Sequence, residues 1–540
     1  MNTTRRTLLA GAAGALALAR PALAQADARP IVTVAVQKIA NSNTLEMTRE
    51  QSNVGTRIYG SYSETLIDTD WIGDLSQRPG LATAWRRIDD RTVELDLRQG
   101  VRFHDGGTMT AEDVVFSFGP ERMFGGGARE GGTLFSAPTV TGAGSKAPPP
   151  EVAAVARRTY PGFEKIEIVR DGVVRFVNRT PDVTLEGRIA RNVGVILSRR
   201  GFEAAESWLA WARNPVGTGP YRVAAFRPDT SLTLAAFDDY WGGRPPAREI
   251  RFVEVPEVNS RIAGLLSGEY DFACDIPPDQ IETIERNERF EVAGSLITNH
   301  RLTVFDKNHP QLRDARVRRA FTHAIDRQAI VDALWAGRTG VPKGLQWEYY
   351  GDMFQADWNV PAYDPDEAKR LLREAGYRGE PIPYRLLNNY YTSQNATAQI
   401  LVEMWKAVGL NVQIEMKENW QQIFDRNSQR GIRDWSNSAP FNDPVSSIVA
   451  QHGPQGQQQQ VGEWTNEEFN RLSVELETST DRARRRVVFR RLLEIAERED
   501  PAYTVLHQTA TFTAKRKDIH WKAGQSFAMD FRARNLAFPA

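Results

Sequence analysis

The side chains able to do chemistry are few and scattered. Seven histidines stand at positions 104, 300, 309, 323, 452, 507 and 520. None pair at the i, i+3 or i, i+4 spacing that sets two imidazoles on one helix face for a metal. A single cysteine, Cys274, excludes an intramolecular disulfide and any multi-cysteine metal or iron–sulfur site. No Gly-x-Ser-x-Gly elbow presents a serine nucleophile, and no glycine-rich loop ends in the Gly-Lys-Ser/Thr that grips phosphate. Gly217-Thr218-Gly219 runs into Pro220, which lacks the backbone N–H a dinucleotide fingerprint uses. His104-Asp105 has the composition of an acid–base pair, but it stands in a turn before a capped helix and reads as structural; His323 reads as a packing residue. Arg482, Arg484, Arg485, Arg486, Arg490 and Arg491 are followed by Glu494, Glu497 and Glu499 at helical spacing. That pattern makes a solvated, ion-paired helix face, with an anion site as the alternative. The residues point to binding rather than catalysis, with no cofactor and no metal site.

The elements that must position any site alternate between strand and helix, so the class is α/β. Residues 30–36 read as a buried opening strand, and residues 92–97 alternate as a half-buried strand does. Thr110, three residues before Asp113, opens a helix through a capping box. Residues 221–226 and 232–234 form a hairpin, residues 251–256 a further strand, and residues 259–267 a helix stopped by Gly268. One long helix is expected from Asp314 to Gly337 on the spacing of Val317, Ala320, Phe321, Ala324, Ile325, Ile330 and Leu334. Another is expected from Asp364-Pro365 to Gly376. The glycine-rich stretch 124–150 and the glutamine run 455–460 read as surface loops.

At 540 residues, with 41% hydrophobic and 25% charged side chains, the chain has the size of two or more lobes and the balance of an ordinary globular protein. Lysine plus arginine equals aspartate plus glutamate at 68 each, so no basic excess exists for nucleic acid. The N-terminus reads Thr4-Arg5-Arg6-Thr7-Leu8-Leu9, then an apolar run to Ala19, then Arg20-Pro21-Ala22-Leu23-Ala24. A charged start, a run shorter than the roughly 20 residues that span a bilayer, and an Ala-x-Ala end make residues 1–24 a signal peptide. The arginine pair and Arg20 fit twin-arginine export, with the general secretory route as the alternative. Removing this leader takes away three arginines and no acid, leaving 65 basic against 68 acidic side chains and a net charge of −3. No cysteine follows the cleavage site to carry a lipid, so the expected product is free, soluble and periplasmic.

Several blocks in order resemble the peptide/nickel/opine class of ABC-importer solute-binding proteins, extracellular family 5. They are Pro79-Gly80-Leu81-Ala82-Thr83-Ala84-Trp85, then Arg98-Gln99-Gly100-Val101-Arg102-Phe103-His104-Asp105-Gly106, then Thr110-Ala111-Glu112-Asp113-Val114. Next come Pro215-Val216-Gly217-Thr218-Gly219-Pro220-Tyr221 and Asp239-Tyr240-Trp241-Gly242-Gly243-Arg244-Pro245. Arg316-Val317-Arg318-Arg319-Ala320-Phe321-Thr322-His323-Ala324-Ile325-Asp326-Arg327 follows, and Tyr363-Asp364-Pro365 through Glu374-Ala375-Gly376-Tyr377 completes the set. The resemblance implies a two-lobed periplasmic-binding-protein fold (type II, large class) with an extra subdomain on the first lobe and a ligand cleft at the hinge. Lobe I would comprise residues 25–72, 214–295 and 502–540, the extra subdomain 73–213, and lobe II 296–501. It implies a monomeric, non-enzymatic protein that closes on a small-molecule or short-peptide ligand and delivers it to permease subunits in the inner membrane. Peptide or peptide-like cargo leads, with an opine, an oligosaccharide or a nickel chelate as alternatives. A sensory binding protein and an exported enzyme with dispersed catalytic residues are the rival functions.

In peptide-binding members an Asp between a Trp and an Asp-Pro in the second lobe pairs with the ligand's amino terminus. The matching stretch here is Asp434-Trp435-Ser436-Asn437-Ser438-Ala439-Pro440-Phe441-Asn442-Asp443-Pro444. Trp435 and Asp443-Pro444 match the flanks, and no acid stands at the expected place, which sets ordinary dipeptide capture in question because a buried ammonium without a carboxylate is costly. By position in the resemblance, the ligand-binding candidates are Asn41, Asn43, Asn299, Arg301, Tyr390, Tyr391, Trp435, Asn437, Ser438, Phe441 and Asn442. Arg301 is the candidate grip for a ligand carboxylate, against a salt bridge. Trp435 is the candidate aromatic wall, against core packing.

Overall fold

Two long antiparallel strands, Phe290–Phe305 and Tyr503–Arg516, run through the middle of the molecule. The computed structural model describes residues 27–124, 145–426 and 429–539. The leader therefore lies outside the described residues, as does most of the glycine-rich stretch. On one side of the long pair the sheet continues through Phe272–Ala273, Ile31–Val36, Glu249–Glu254, Ser231–Ala236 and Tyr221–Arg227. On the other it continues through Ile432–Ser438, Ile382–Leu387 and Val412–Lys417, making ten strands in all. Pairing between the long strands shifts register between Leu296 and His300, and again between Arg301 and Leu302. Such bulges bend a strand and re-aim its side chains. Here the bend falls where the chain passes from one half of the sheet to the other.

A separate four-stranded antiparallel sheet, in the order Ala82–Asp89, Thr92–Leu97, Val173–Asn178, Phe163–Arg170, packs its inner face on an apolar core that includes Val93, Leu95, Val174 and Phe176. Local signals place many ends as expected. Thr110 and Asp113 form the reciprocal capping box of Ala111–Ser117. Asp364 caps Pro365–Ala375, and Gly376 ends that helix at φ 73°. Gly268 ends Val258–Ser267 at φ 87°, a left-handed conformation that glycine adopts without steric cost.

Three expectations need correction. The long helix after Asp314 is two helices, Ala315–His323 and Arg327–Trp335, because Asp326 breaks the run and accepts the Ala329 N–H as a new N-cap. Both keep their apolar positions toward the interior, so periodicity alone does not reveal the break. The glutamine run contains a short helix, Gln457–Gln460, and the Gln458 amide is buried, donating to the carbonyls of Phe305 and Ala502. The arginine-rich helix Arg482–Glu494 is not wholly a solvated face: Arg485 is buried and forks onto Asp443 at 2.8 and 2.9 Å. Glu497 also turns inward, accepting from the Trp358 indole and the Leu345 backbone. Arg491 does pair with Glu494 and Glu499 as expected.

His104 and Asp105 are hydrogen-bonded to other partners rather than to each other. His104 meets the Gly219 carbonyl through Nε2 at 2.9 Å, while Asp105 accepts from Ser198 and Gly107. Burial pushes the pKa of His104 down to about 4, and those of His452 and His507 down to about 3. Each is therefore folded neutral but protonates readily when unfolded, near 6.5. The stability they contribute is complete above about pH 6.5 and is lost as pH falls from there toward 4. Replacing His452 by glutamine is expected to reduce the loss of urea stability between pH 7 and pH 5 by about 2 kcal/mol relative to wild type. An equal loss in the two proteins would refute this.

Candidate functional site

The strand bend at residues 297–299 forms part of a cavity of about 160 Å³. Residues 51–53 and 56, Tyr59, Trp71 and residues 526–528 supply one side. Arg158 and residues 190–192 reach in from the part of the chain that carries the four-stranded sheet. Tyr390, Tyr391, Trp420, Trp435, Ser436, Ser438 and Gln457 make the opposite side. A wider cleft of about 1020 Å³ shares Tyr390 and Trp420 with it and opens past Asn41, Asn43 and Lys417.

The local structure explains several of these placements. Ser52 caps the helix Asn53–Ile58 by accepting the Gly55 N–H, and Glu50 accepts from both Ser42 and Ser52. Burial raises the Glu50 pKa, its four hydrogen bonds to the two serines acting against that. Alternation along Ile432–Ser438 sends successive side chains to opposite faces of the sheet. Trp435 meets Trp420 edge-on at 5.0 Å between ring centroids and stands beneath the Arg433 guanidinium at 4.5 Å.

The cavity brings together five of the residues expected from sequence: Asn299, Tyr390, Tyr391, Trp435 and Ser438. Asn299 pairs directly with Ser438 across the sheet; its amide donates to Ser438 Oγ at 2.9 Å and its carbonyl oxygen accepts from Thr509 at 2.6 Å. Asn41 and Asn43 line the outer cleft instead. The Asn41 amide donates to the Tyr390 hydroxyl at 3.0 Å, and Asn43 adopts φ 56°. Asn437 is wholly buried, its amide facing His452 Nε2 at 3.5 Å. Phe441 packs against Gly187 and beneath Arg188, away from the cavity. Asn442 is exposed and lines neither cavity.

Arg301 is paired within the protein. Its guanidinium donates to Asp434 at 2.6 Å and to the Trp435 carbonyl at 2.6 Å, and its face lies 3.5 Å from the Tyr391 ring centroid. Gln394 completes the shell around Asp434. Burial raises the pKa of Asp434, with Arg301 opposing that rise. Both ends of the fork are thus held within the protein, and Arg301 stands behind the Tyr391 ring. The carboxylate that claims it is its partner one strand away, which residue type alone does not reveal.

Sequence reasoning missed Arg158 and Arg191. Arg158 ends the helix Pro150–Thr159, and Arg191 follows the helix Leu185–Ile189. Neither stands in a recognisable motif. Burial lowers the pKa of both guanidiniums; the neighbouring Arg191 lowers that of Arg158 further, and Arg188 that of Arg191. Trp71, Trp420 and Gln457 were missed for the same reason.

The walls touch each other around the cavity. Asn41 meets Tyr390, Asn53 donates to Ser436 at 3.2 Å, and Arg188 reaches Glu477 at 3.2 Å. Asn192 donates to Thr56 at 3.3 Å. The arrangement leaves a small space lined by aromatic rings, amides and hydroxyls. Among the described residues no three His, Cys, Asp or Glu side chains cluster to hold a metal, and no helix is long and apolar enough to cross a membrane.

The family described as bacterial extracellular solute-binding proteins, family 5 Middle, matches residues 76–457. The dipeptide-binding protein of Escherichia coli is 25% identical over 476 residues, covering 83% of this chain and 84% of that protein. A dipeptide-binding protein from a Pseudoalteromonas species, solved in complex with Met-Leu, superposes with a TM-score of 0.81 at 21% identity, covering 94% of this chain and all of that one. NikA from Staphylococcus aureus, in complex with Ni(L-His)2, superposes with a TM-score of 0.77 at 17% identity, covering 94% of this chain and all of that one.

Proposed function

The chain belongs to the family 5 bacterial extracellular solute-binding proteins, and on that premise we propose that it is the periplasmic capture subunit of an ABC importer, closing on a peptide or peptide-like solute. The observation that carries this reading is the cavity between two walls through which the two long paired strands run. A ligand touching both walls binds the closed form better than the open one, so its binding energy selects closure. Permease subunits in the inner membrane would then recognise the closed shape. The two bulged strands would serve as hinge, with lobes at 25–72, 214–295 and 502–540 against 296–501 and the extra subdomain at 73–213. The arginine pair of the leader supports twin-arginine export. The arrangement of the cavity residues, polar amides and hydroxyls without a nucleophile–base pair, supports binding without turnover.

Names of relatives keep the cargo broad: dipeptide, glutathione and heme-binding proteins are among them. Native mass spectrometry of the protein purified from its own periplasm tests the reading. One small solute per chain, unchanged after prolonged incubation, is the expected result. Multiple-turnover conversion of that solute would replace binding by enzymology.

A further inference from the structure

The cavity carries positive charge that nothing in its walls balances. Arg158 and Arg191 both line it, and no Asp or Glu does among the described residues. Neither arginine forms an ion pair with a described carboxylate, in contrast to nearby Arg188, which is held by Asp182 and Glu477. Asp434, the carboxylate behind the aromatic wall, is claimed by Arg301. Glu50, behind the opposite wall, is bonded to Ser42 and Ser52.

The unsatisfied polar atoms point the same way. Arg191 Nε and Gln457 Nε2 are buried without a hydrogen-bond partner; Arg191 otherwise reaches Thr159 Oγ1 at 3.4 Å, and among the described residues no hydrogen bond occupies the half-buried Arg158 guanidinium. All are donors. A buried donor left unpaired costs about 1–3 kcal/mol, and more when charged, so the cavity is complementary to a ligand rich in acceptors. A guanidinium fork is matched in shape and charge by a carboxylate or phosphate. An ammonium brought to the same place would meet two cations and no partner.

Resting on the solute-binding reading above, we propose that the cargo is an acidic small solute that presents an oxyanion to Arg158 and Arg191 and carries no free ammonium group into the cavity. Its uncharged portion lies against Tyr391, Trp420 and Trp435. The rest of the cavity, amides and hydroxyls such as Asn299 and Ser438, suits neutral hydrogen-bonding groups.

Calorimetric titration of the stripped, full mature protein with three probes tests this: N-acetyl-alanyl-glutamate, N-acetyl-O-phosphoserine and the zwitterion alanyl-alanine. At least one anion is expected to bind about tenfold or more tighter than alanyl-alanine, and which one distinguishes a carboxylate from a phosphate ligand. Arg158→Gln with Arg191→Gln is expected to remove about tenfold or more of that anion's affinity and so to erase its margin over alanyl-alanine. Ser438→Asp, which adds a carboxylate to the cavity, is expected to weaken the anion and strengthen the zwitterion, a gain that misfolding does not produce. Alanyl-alanine binding as well as either anion, an unweakened double glutamine variant, or binding of none of the three overturns the charge assignment. The solute-binding reading falls separately, only if the protein from its own host converts its solute catalytically.

Discussion

Replacing Gly187 by leucine is expected to hold the protein open and weaken its co-purified solute by about ten- to a hundredfold. Gly187 lies in the helix Leu185–Ile189, and a Cβ added there would stand 2.8 Å from Cβ and Cγ of Phe441, which packs against it from the proposed second lobe. That contact closes only because residue 187 has no side chain. Overpacking of this kind costs about 1–3 kcal/mol, charged here against closure. The helix itself gains, since leucine is favoured over glycine by somewhat under about 1 kcal/mol in a helix interior. The loss of affinity should therefore come without loss of fold. Small-angle scattering should show the stripped variant matching stripped wild type in radius of gyration, with no contraction on adding solute. Normal contraction with undiminished affinity would show that this contact does not govern closure.

The largest effect on stability is expected at Arg122. Its guanidinium is fully buried against the equally buried Glu46, with contacts at 2.6 and 2.8 Å. It also donates to the carbonyls of Ser117, Val193 and Val195. One side chain thus ties the segment after the first strand to a helix end and to the stretch before residue 196. Arg122→Ala leaves a buried carboxylate without its cation and three carbonyls without this donor, a loss of about 3–5 kcal/mol. Adding Glu46→Gln should recover part of that loss, since it removes the stranded charge. Urea unfolding followed by tryptophan fluorescence would measure both. A single variant within about 0.5 kcal/mol of wild type would refute the assignment.

Much of the scaffold could be read residue by residue because its causes are local. A capping box needs only Thr110 and Asp113, and a helix stop needs only glycine at 268 or 376. Errors arose where a side chain's partner lies far along the chain. The break at Asp326 is local but hidden by apolar periodicity that continues through it. The burial of Gln458 depends on carbonyls at Phe305 and Ala502, and that of Arg485 on Asp443. In the candidate site, Trp435, Ser438, Asn299 and the two tyrosines reached the cavity, whereas Asn437, Phe441 and Asn442 did not. Asn437 is buried within its strand, while Phe441 and Asn442 lie beyond the strand's end at Ser438.

The amino-acid sequence by itself determined the class of fold, the order of elements, the type of protein and the lack of a catalytic or metal motif. Capping, alternation and turn formation act over three or four residues, so they survive inspection of a single chain. Only the tertiary structure decided the charge of the cavity. Arg301, the arginine suited by position to grip an anion, is neutralised by Asp434 on the adjacent strand. Arg158 and Arg191, unremarkable in sequence, line the cavity with no described carboxylate beside them. An arginine's availability to a ligand depends on whether the fold brings it an acid, and here Asp434 is held by Arg301 while Asp182 and Glu477 are held by Arg188.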